Sequence, residues 1–442
     1  MCGFLGLVTA SAGACGRKKR GERGGRGGLC HMAPLLLVID YWEKLAGASL
    51  ALSAIIRLCQ TVKLSLVAPT VHSSLFLPSG GLPLSSYYDT TALGAALAPQ
   101  VVVPYGAWRR LRRESTDRSN NASINVAIIY HDFPSACIDA LSSERTLCPS
   151  TCLAATGVRR LVAGAQRWLT HDRAPWHCVR AVELRNAIQG GGGVFAELLS
   201  RSSAVALLNF RRHDSGKPML SPTQGLALRA SAVRPSPAVR AAARRFLETH
   251  RMPSTYGLVQ LRSNHLAHSS FVATGGSVSS SATPQRRNCT RRLGACVRRL
   301  GRAARRLAPP AATVVASDLV TLFDANQDGA THARHPYMRE CLLPSLPALR
   351  RWHASAGRAF GRNCTSPTAG HGMVKRSTRS RNASTALGCD AGFLGLVDLV
   401  LATEADAFVA VDVKQPWRSA FLEWIVQSRR LRGRSRTELV SC

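Results

Sequence analysis

The sequence predicts an α/β protein built from two Rossmann-like units, and three observations carry that prediction. Short, wholly apolar runs of strand length alternate with longer stretches of helical periodicity, the signature of parallel β-α-β units. One such unit opens the chain and another closes it. A stretch rich in Ser, Pro and Gly, Asp214 to Pro237, lies between them as an inter-domain linker. With 442 residues, 45% of them hydrophobic and 19% charged, the chain can bury two cores and is not disordered throughout. The expected boundaries are a basic, unstructured segment over 1–30, an N-terminal unit over 31–213, the linker over 214–237, a C-terminal unit over 238–432 and a tail over 433–442.

The first unit begins with Pro34 to Ile39, a buried strand. A helix from Tyr41 to Gln60 follows, with Leu45, Ala48, Leu52, Ile55, Ile56 and Cys59 on one stripe, and then a strand over Lys63 to Ala68. Leu84 to Leu93 contains a helix start, and Val101 to Pro104 is an edge strand. Arg109 to Asn120 is a charged surface segment ahead of a strand at Asn125 to Tyr130. Cys137, Cys148 and Cys152 fall in a loop-rich insert that disulfides could staple. Two strands, Cys178 to Leu184 and Ala204 to Asn209, flank Gly190 to Gly193 and the helix Val194 to Ser200. The four glycines lack the spacing of a phosphate-binding fingerprint and read as a turn.

In the second unit a helix over Ala238 to His250 leads to a strand beginning at Tyr256 that ends in polar groups, Gln260-Leu-Arg262. Arg291 to Leu307 places Leu293, Cys296, Val297, Leu300, Ala303, Ala304 and Leu307 on one face and paired arginines on the other, a surface helix, with a nucleic-acid- or heparin-binding helix as the alternative. Ala312 to Ser317 is a strand that ends in Ser317-Asp318. Asp324 to Gly329 matches the first half of an EF-hand loop, but His335 stands where a bidentate glutamate is needed, so a loop is expected and no metal. Phe393, Leu394, Val397, Val400 and Leu401 then mark one buried helix face, and Ala407 to Val411 suits a strand covered on both sides. Ser419 opens a last helix through Phe421, Trp424, Ile425 and Ser428.

The formal net charge is +33, from 58 Lys and Arg against 25 Asp and Glu. The excess is nearly all arginine and is scattered over the whole length. Nucleic acid, acidic glycans and the phosphates of a nucleotide are all compatible sinks for it. Aromatic residues make up only 6% and do not interleave with basic ones, which disfavours single-stranded nucleic acid. Fourteen cysteines with no Cys-x-x-Cys pair argue for disulfides over structural zinc. Sequons at Asn121, Asn288, Asn363 and Asn382 point the same way, to the secretory pathway (endoplasmic reticulum or Golgi lumen) or secretion. Cys2 to Ala14 is apolar but too short to span a bilayer, and no membrane span is visible elsewhere.

Several blocks in order resemble the GDP-fucose protein O-fucosyltransferase-like superfamily. They are Leu66-Val67-Ala68-Pro69, Leu84 to Leu93 with Val101 to Pro104, Gln260-x-Arg262, Ser317-Asp318, and Asp390 to Arg430 with Asp398, Ala405-Asp406-Ala-Phe408, Ser419-Ala420-Phe421 and Arg429. The family's Gly-Gly-x-x-Asn-Gln turn is replaced by Asp40-Tyr-Trp-Glu-Lys44, its strand histidine by Gln260, and its Gly-containing segment by Asp412 to Arg418. The resemblance implies a GT-B-like fold, two Rossmann-like domains facing a central cleft. It implies inverting transfer of fucose from GDP-fucose to a hydroxyl of a protein or glycan, without a cofactor or metal. Arg262 and the carboxylate Glu43 are the candidate catalytic groups, Glu43 as base with Asp40 behind it. Gln260, Arg262, Ser317, Asp318, Asp398, Ser419, Ala420 and Phe421 are the candidate donor-binding residues. The missing glycine turn and Gln260 leave open a catalytically inactive relative that binds glycan or protein, and the charge leaves open a nucleic-acid-binding protein.

Overall fold

A computed structural model describes residues 34–39, 45–68, 70–71, 82–114, 126–130, 147–154, 174–202, 204–208, 213–214, 217–273, 283–309, 312–317, 337, 341–359, 391–412 and 419–441. The first apolar run forms β1 (Leu35–Ile39), followed by α1 (Leu45–Val62) and β2 (Ser65–Val67). On α1 the predicted stripe of Leu52, Ile55, Ile56 and Cys59 is fully buried. A small antiparallel pair, β3 (Thr70–Val71) and β4 (Leu82–Pro83), leads to α2 (Leu84–Tyr87) and α3 (Thr90–Leu97). Asp89 caps α3 by accepting from the N–H groups of Thr91 and Ala92 at 3.1 and 3.2 Å. β5 (Val102–Val103), α4 (Tyr105–Glu114), β6 (Val126–Tyr130), α5 (Ser150–Ala154), β7 (Trp176–Val179), α6 (Ala181–Gln189), α7 (Val194–Arg201) and β8 (Ala204–Leu208) complete the unit. Its six strands pair in the order β5-β2-β1-β8-β6-β7, all parallel.

Two readings of this half change. The strand expected over 178–184 stops at Val179, because Glu183 accepts the Arg180 N–H at 3.1 Å and pairs with the Arg180 guanidinium at 2.7 Å, which starts a helix at Ala181. The charged segment from Arg109 begins inside α4, which Trp108 anchors in the core. Gly190 and Gly193 have φ of 88° and 139° and join α6 to α7, the turn that was expected. The stretch 214–237, read as linker, is largely ordered into a two-strand hairpin, β9 (His213–Asp214) with β10 (Lys217–Pro218), and a helix α8 (Pro222–Ser231). Ser221 and Gln224 form a capping box with Pro222 at the first helical position, a start signal that outweighs the loop-like composition.

The second unit comprises α9 (Pro237–Thr249), β11 (Gly257–Leu261), α10 (Ser263–Ala273), α11 (Thr283–Leu307), β12 (Thr313–Ser317), α12 (Leu343–Ala356), β13 (Arg358–Ala359), α13 (Ala391–Glu404), β14 (Ala407–Asp412), α14 (Ala420–Leu431) and β15 (Thr437–Ser441). Its five strands run parallel in the order β13-β12-β11-β14-β15, a doubly wound sheet. At Gly257 an added Cβ would lie 2.7 Å from the Ala308 Cβ, so only glycine lets the end of the α11 crossover settle on the sheet. The expected tail over 433–442 is corrected: 437–441 is β15, held because Val440 is buried and the strand adds to the β14 edge from Phe408 to Asp412.

One face of this sheet packs on α10, α11 and α12 through Val259, Leu266, Leu300 and Leu346. The other joins α9, α13 and α14 in an apolar cluster that continues through Leu258 and Phe408 to Leu36 and Ile55 of the first unit. α13 therefore buries Leu396, Leu399 and Ala402 as well as Phe393, Val397, Val400 and Leu401, more than the single face expected. Disulfides join Cys148 to Cys178 and Cys289 to Cys341; Cys152 and Cys296 are also disulfide-bonded, and Cys59 is a free, buried thiol. Among the described residues no helix is long and apolar enough to cross a membrane, and no cluster of His, Cys, Asp and Glu could hold a metal ion.

Candidate functional site

β11 is the central strand of the second sheet. The chain leaves it to build β12 and β13 on one side, and returns to build β14 and β15 on the other. The carboxyl ends of β11 and β14 thus border a topological switch point, where open parallel sheets leave a crevice for ligands. Arg262 is the first residue beyond β11, and its carbonyl accepts the N–H of Leu266 at 3.0 Å to begin α10. Ser419 stands at the start of α14, where its Oγ accepts the Leu422 N–H at 3.3 Å. Across the switch point Arg262 Nη1 donates to Ser419 Oγ at 3.0 Å, and its guanidinium lies 5.7 Å from the centre of the Phe421 ring.

The electrostatics of this corner combine two helix starts with the carboxylate of Asp412, which ends β14. Helix N-termini carry partial positive charge, so the starts of α10 and α14 repel a cation and attract an anion. Arg262 sits between them, donating to the Ser419 hydroxyl over the Phe421 face. A guanidinium fork, two sets of helix N–H groups and a hydroxyl are the chemical types that can donate to phosphate oxygens.

The remaining candidates fall into three groups. Gln260 is buried within β11, in register between Ala316 and Ala410, and Ser317 ends β12 opposite Leu261, one strand from Arg262. Ala420 is the first residue of α14 and Phe421 is buried beneath it. Asp398 lies on α13 with no hydrogen bond or ion pair among the described residues, and burial pushes its carboxyl up to about 8. Glu43, Asp40, Asp318, the Asp324 to His335 segment, and the sequons at Asn121, Asn363 and Asn382 lie outside the described residues. Asn288 is exposed on α11 and accepts from Arg291 Nη2 at 3.2 Å.

Arg429, quoted in the sequence only as a closing motif residue, proves to be the structural anchor behind the site. It is fully buried and donates to the carbonyls of Ala402, Ala405, Asp406 and Arg436 at 2.8, 2.5, 3.2 and 3.0 Å, and to Thr437 Oγ1 at 3.1 Å. Burial and the nearby Arg434 lower its pKa to about 10, so it stays charged near neutrality. Asp406 adds a second tie, accepting the Tyr256 N–H at 3.1 Å and pairing with Arg434 at 2.7 Å. These contacts fix the starts of β11 and β14 relative to α14, and hence the spacing of Arg262 and Ser419 at the opposite end.

No family model matches the chain, and no curated protein matches it. Among solved structures it is similar to POFUT1 in complex with GDP-fucose, at 11% identity and a TM-score of 0.48 over 92% of this chain and 98% of that one. It is likewise similar to POFUT1 in complex with GDP, at 10% identity and a TM-score of 0.48 over the same shares. The fucosyltransferase NodZ from Bradyrhizobium is similar at 12% identity and a TM-score of 0.35, over 89% of this chain and 91% of that one. These are likenesses of fold alone, and the functional reading rests on the residues described above.

Proposed function

We propose that the chain is a glycosyltransferase that takes a sugar, fucose by its motif resemblance, from a GDP-linked donor to a hydroxyl of a protein or glycan. The observation that carries the reading is the 3.0 Å contact between Arg262 and Ser419 at the switch point of a doubly wound sheet. In this reading the donor diphosphate replaces that internal contact. Arg262 takes two oxygens in its fork, and the α10 and α14 N–H groups take others. The same groups stabilise the charge that develops on the departing GDP, so binding and catalysis share one surface.

Asp398 is the proposed base-recognition group: a half-buried carboxyl with no partner among the described residues is suited to the paired N–H donors of guanine. Gln260 and Ser317 line the neighbouring strand ends, and Asp318 follows them. Glu43 is the proposed base that takes the acceptor proton in an inverting displacement, with no metal or cofactor. The disulfides fit an oxidising compartment, which supports a secretory-pathway location. A second reading, a nucleotide-binding relative without transfer activity, is favoured by Gln260, which is buried in β11 where the resembled motif has a histidine.

Thermal shift with GDP, GDP-fucose and UDP tests the proposal. GDP and GDP-fucose are expected to raise the midpoint and UDP to do so much less. Arg262→Ala should weaken GDP binding about 10–100-fold, the scale of a lost charge-assisted pair. An equal response to UDP, or an unchanged affinity in the variant, removes the reading. GDP release during turnover of GDP-fucose separates the enzyme from the relative that only binds.

A further inference from the structure

The charge of α11 remains after the nucleotide site is accounted for. Its buried face is complete: Cys289, Leu293, Cys296, Val297, Leu300, Ala303 and Ala304 all pack inward. The opposite face carries Arg287, Arg291, Arg298, Arg302 and Arg305, all exposed. Successive offsets of four, seven, four and three residues keep these five within one narrow stripe of a helix. At 1.5 Å per residue the stripe is about 27 Å long.

Several arginines elsewhere are matched to acids: Arg201 with Glu197 at 2.5 Å, Arg240 with Asp89 at 3.3 Å, and Arg434 with Asp406 at 2.7 Å. On the α11 stripe, the side chains of Arg287, Arg298, Arg302 and Arg305 make no hydrogen bond or ion pair among the described residues, and that of Arg291 reaches only Asn288 of its own helix among them. The segment Thr283–Leu307 contains no acidic residue, so its i,i+3 and i,i+4 neighbours on the stripe repel one another. Arg306, on the flank, is paired with Glu438 at 2.6 Å, which leaves the outward row as the uncompensated one.

We propose that this stripe is a docking surface for a linear sulfated polysaccharide of the glycosaminoglycan class. A row of guanidinium forks matches a chain that presents oxyanions along its length, each fork able to take two oxygens of one sulfate. Two features favour a polysaccharide over nucleic acid. α11 has no aromatic residue on which a base could stack. The Cys289–Cys341 disulfide ties this helix to the segment ahead of α12, which fits an oxidising compartment.

The test measures binding of a size-defined heparin oligosaccharide to the full chain across a salt series. Variants are the triple Arg298→Gln, Arg302→Gln, Arg305→Gln and a control triple, Arg110→Gln, Arg244→Gln, Arg245→Gln, on other exposed helices. The stripe triple is expected to lose at least tenfold in affinity and to flatten the salt slope by about 2–3, one counterion per lost contact. The control triple should bind as the parent does, and GDP binding should be unchanged in both. Equal losses in the two triples would show unspecific charge and overturn the proposal. A single-stranded oligonucleotide of equal charge that binds more tightly than heparin, and is lost with the stripe, would overturn it in favour of nucleic acid.

Discussion

At the N-terminus of α14, Arg262 reaches Ser419 across the switch point; at its C-terminus, Arg429 is enclosed by the carbonyls that end α13 and by the β15 entry. The two residues are chemically identical and sit against opposite helix ends. Arg429 lies where the dipole favours a cation and finds five acceptors, so its charge is fully spent inside the fold. Arg262 lies where the dipole disfavours one, between two helix starts. Arg429 is surrounded by acceptors inside the fold, whereas Arg262 stands at the border of the crevice, where its guanidinium can also meet an anion. In the proposed reading the contrast separates architecture from function.

Removing each arginine breaks the comparison from either side. Arg429→Ala is expected to have the largest effect, because it strands several buried carbonyls together. A loss of about 3–5 kcal/mol is the scale for breaking a buried charged network, a large part of the roughly 5–15 kcal/mol that holds a folded protein. Chemical denaturation or soluble yield would read it, and Arg429→Lys should rescue little, since one ammonium cannot span the same acceptors. Arg262→Ala should leave unfolding within about 1 kcal/mol of the parent while nucleotide affinity falls. Equal destabilisation by the two changes would show that Arg262 too is architectural.

The difference between these arginines was only partly legible in the sequence. Apolar runs such as Leu35 to Ile39 and Ala407 to Val411 declare strands locally, and the α11 stripe declares its buried face, because those signals lie within a few residues. α13 reads as one-sided because periodicity cannot report that both units close on it. β15 carries no local strand signal because Thr-Glu-Leu-Val-Ser is polar and edge-like, and its support comes from Arg429 and β14. The role of Arg429 depends on carbonyls 24 and 27 residues upstream, a distance at which no spacing rule operates. The Arg262 to Ser419 pairing spans 157 residues and came into view through motif resemblance and the rule for strand ends.

Asp398 sharpens the comparison from the acidic side, with a smaller effect. Its folded pKa of about 8 lies above the ordinary carboxyl value of 3.8, so the unliganded fold holds a proton that the unfolded chain releases. Stability from this group is therefore full below about pH 4 and is lost as pH rises through 8. Asp398→Asn should raise the unfolding midpoint more at pH 8 than at pH 5. If the carboxylate receives guanine N–H donors, wild-type GDP affinity should also rise with pH over that window, and the variant should lose that slope. A pH-independent difference between the two proteins would place Asp398 outside both effects.

The smallest expected change is at Ser419, whose hydroxyl serves both sides of the comparison. It caps α14 through Leu422 and anchors Arg262. Ser419→Ala removes the cap, at about 1 kcal/mol, and frees the guanidinium from its present geometry, so a GDP affinity loss of about fivefold is expected, on the scale of one neutral hydrogen bond. Ser419→Thr keeps the oxygen and should restore both within a few tenths of a kcal/mol. Titration calorimetry beside thermal unfolding distinguishes the roles. Loss of stability with affinity intact in the alanine variant would make the hydroxyl a helix cap alone and leave the diphosphate to Arg262 and the backbone N–H groups, because capping acts on the helix start whether or not an anion is bound there.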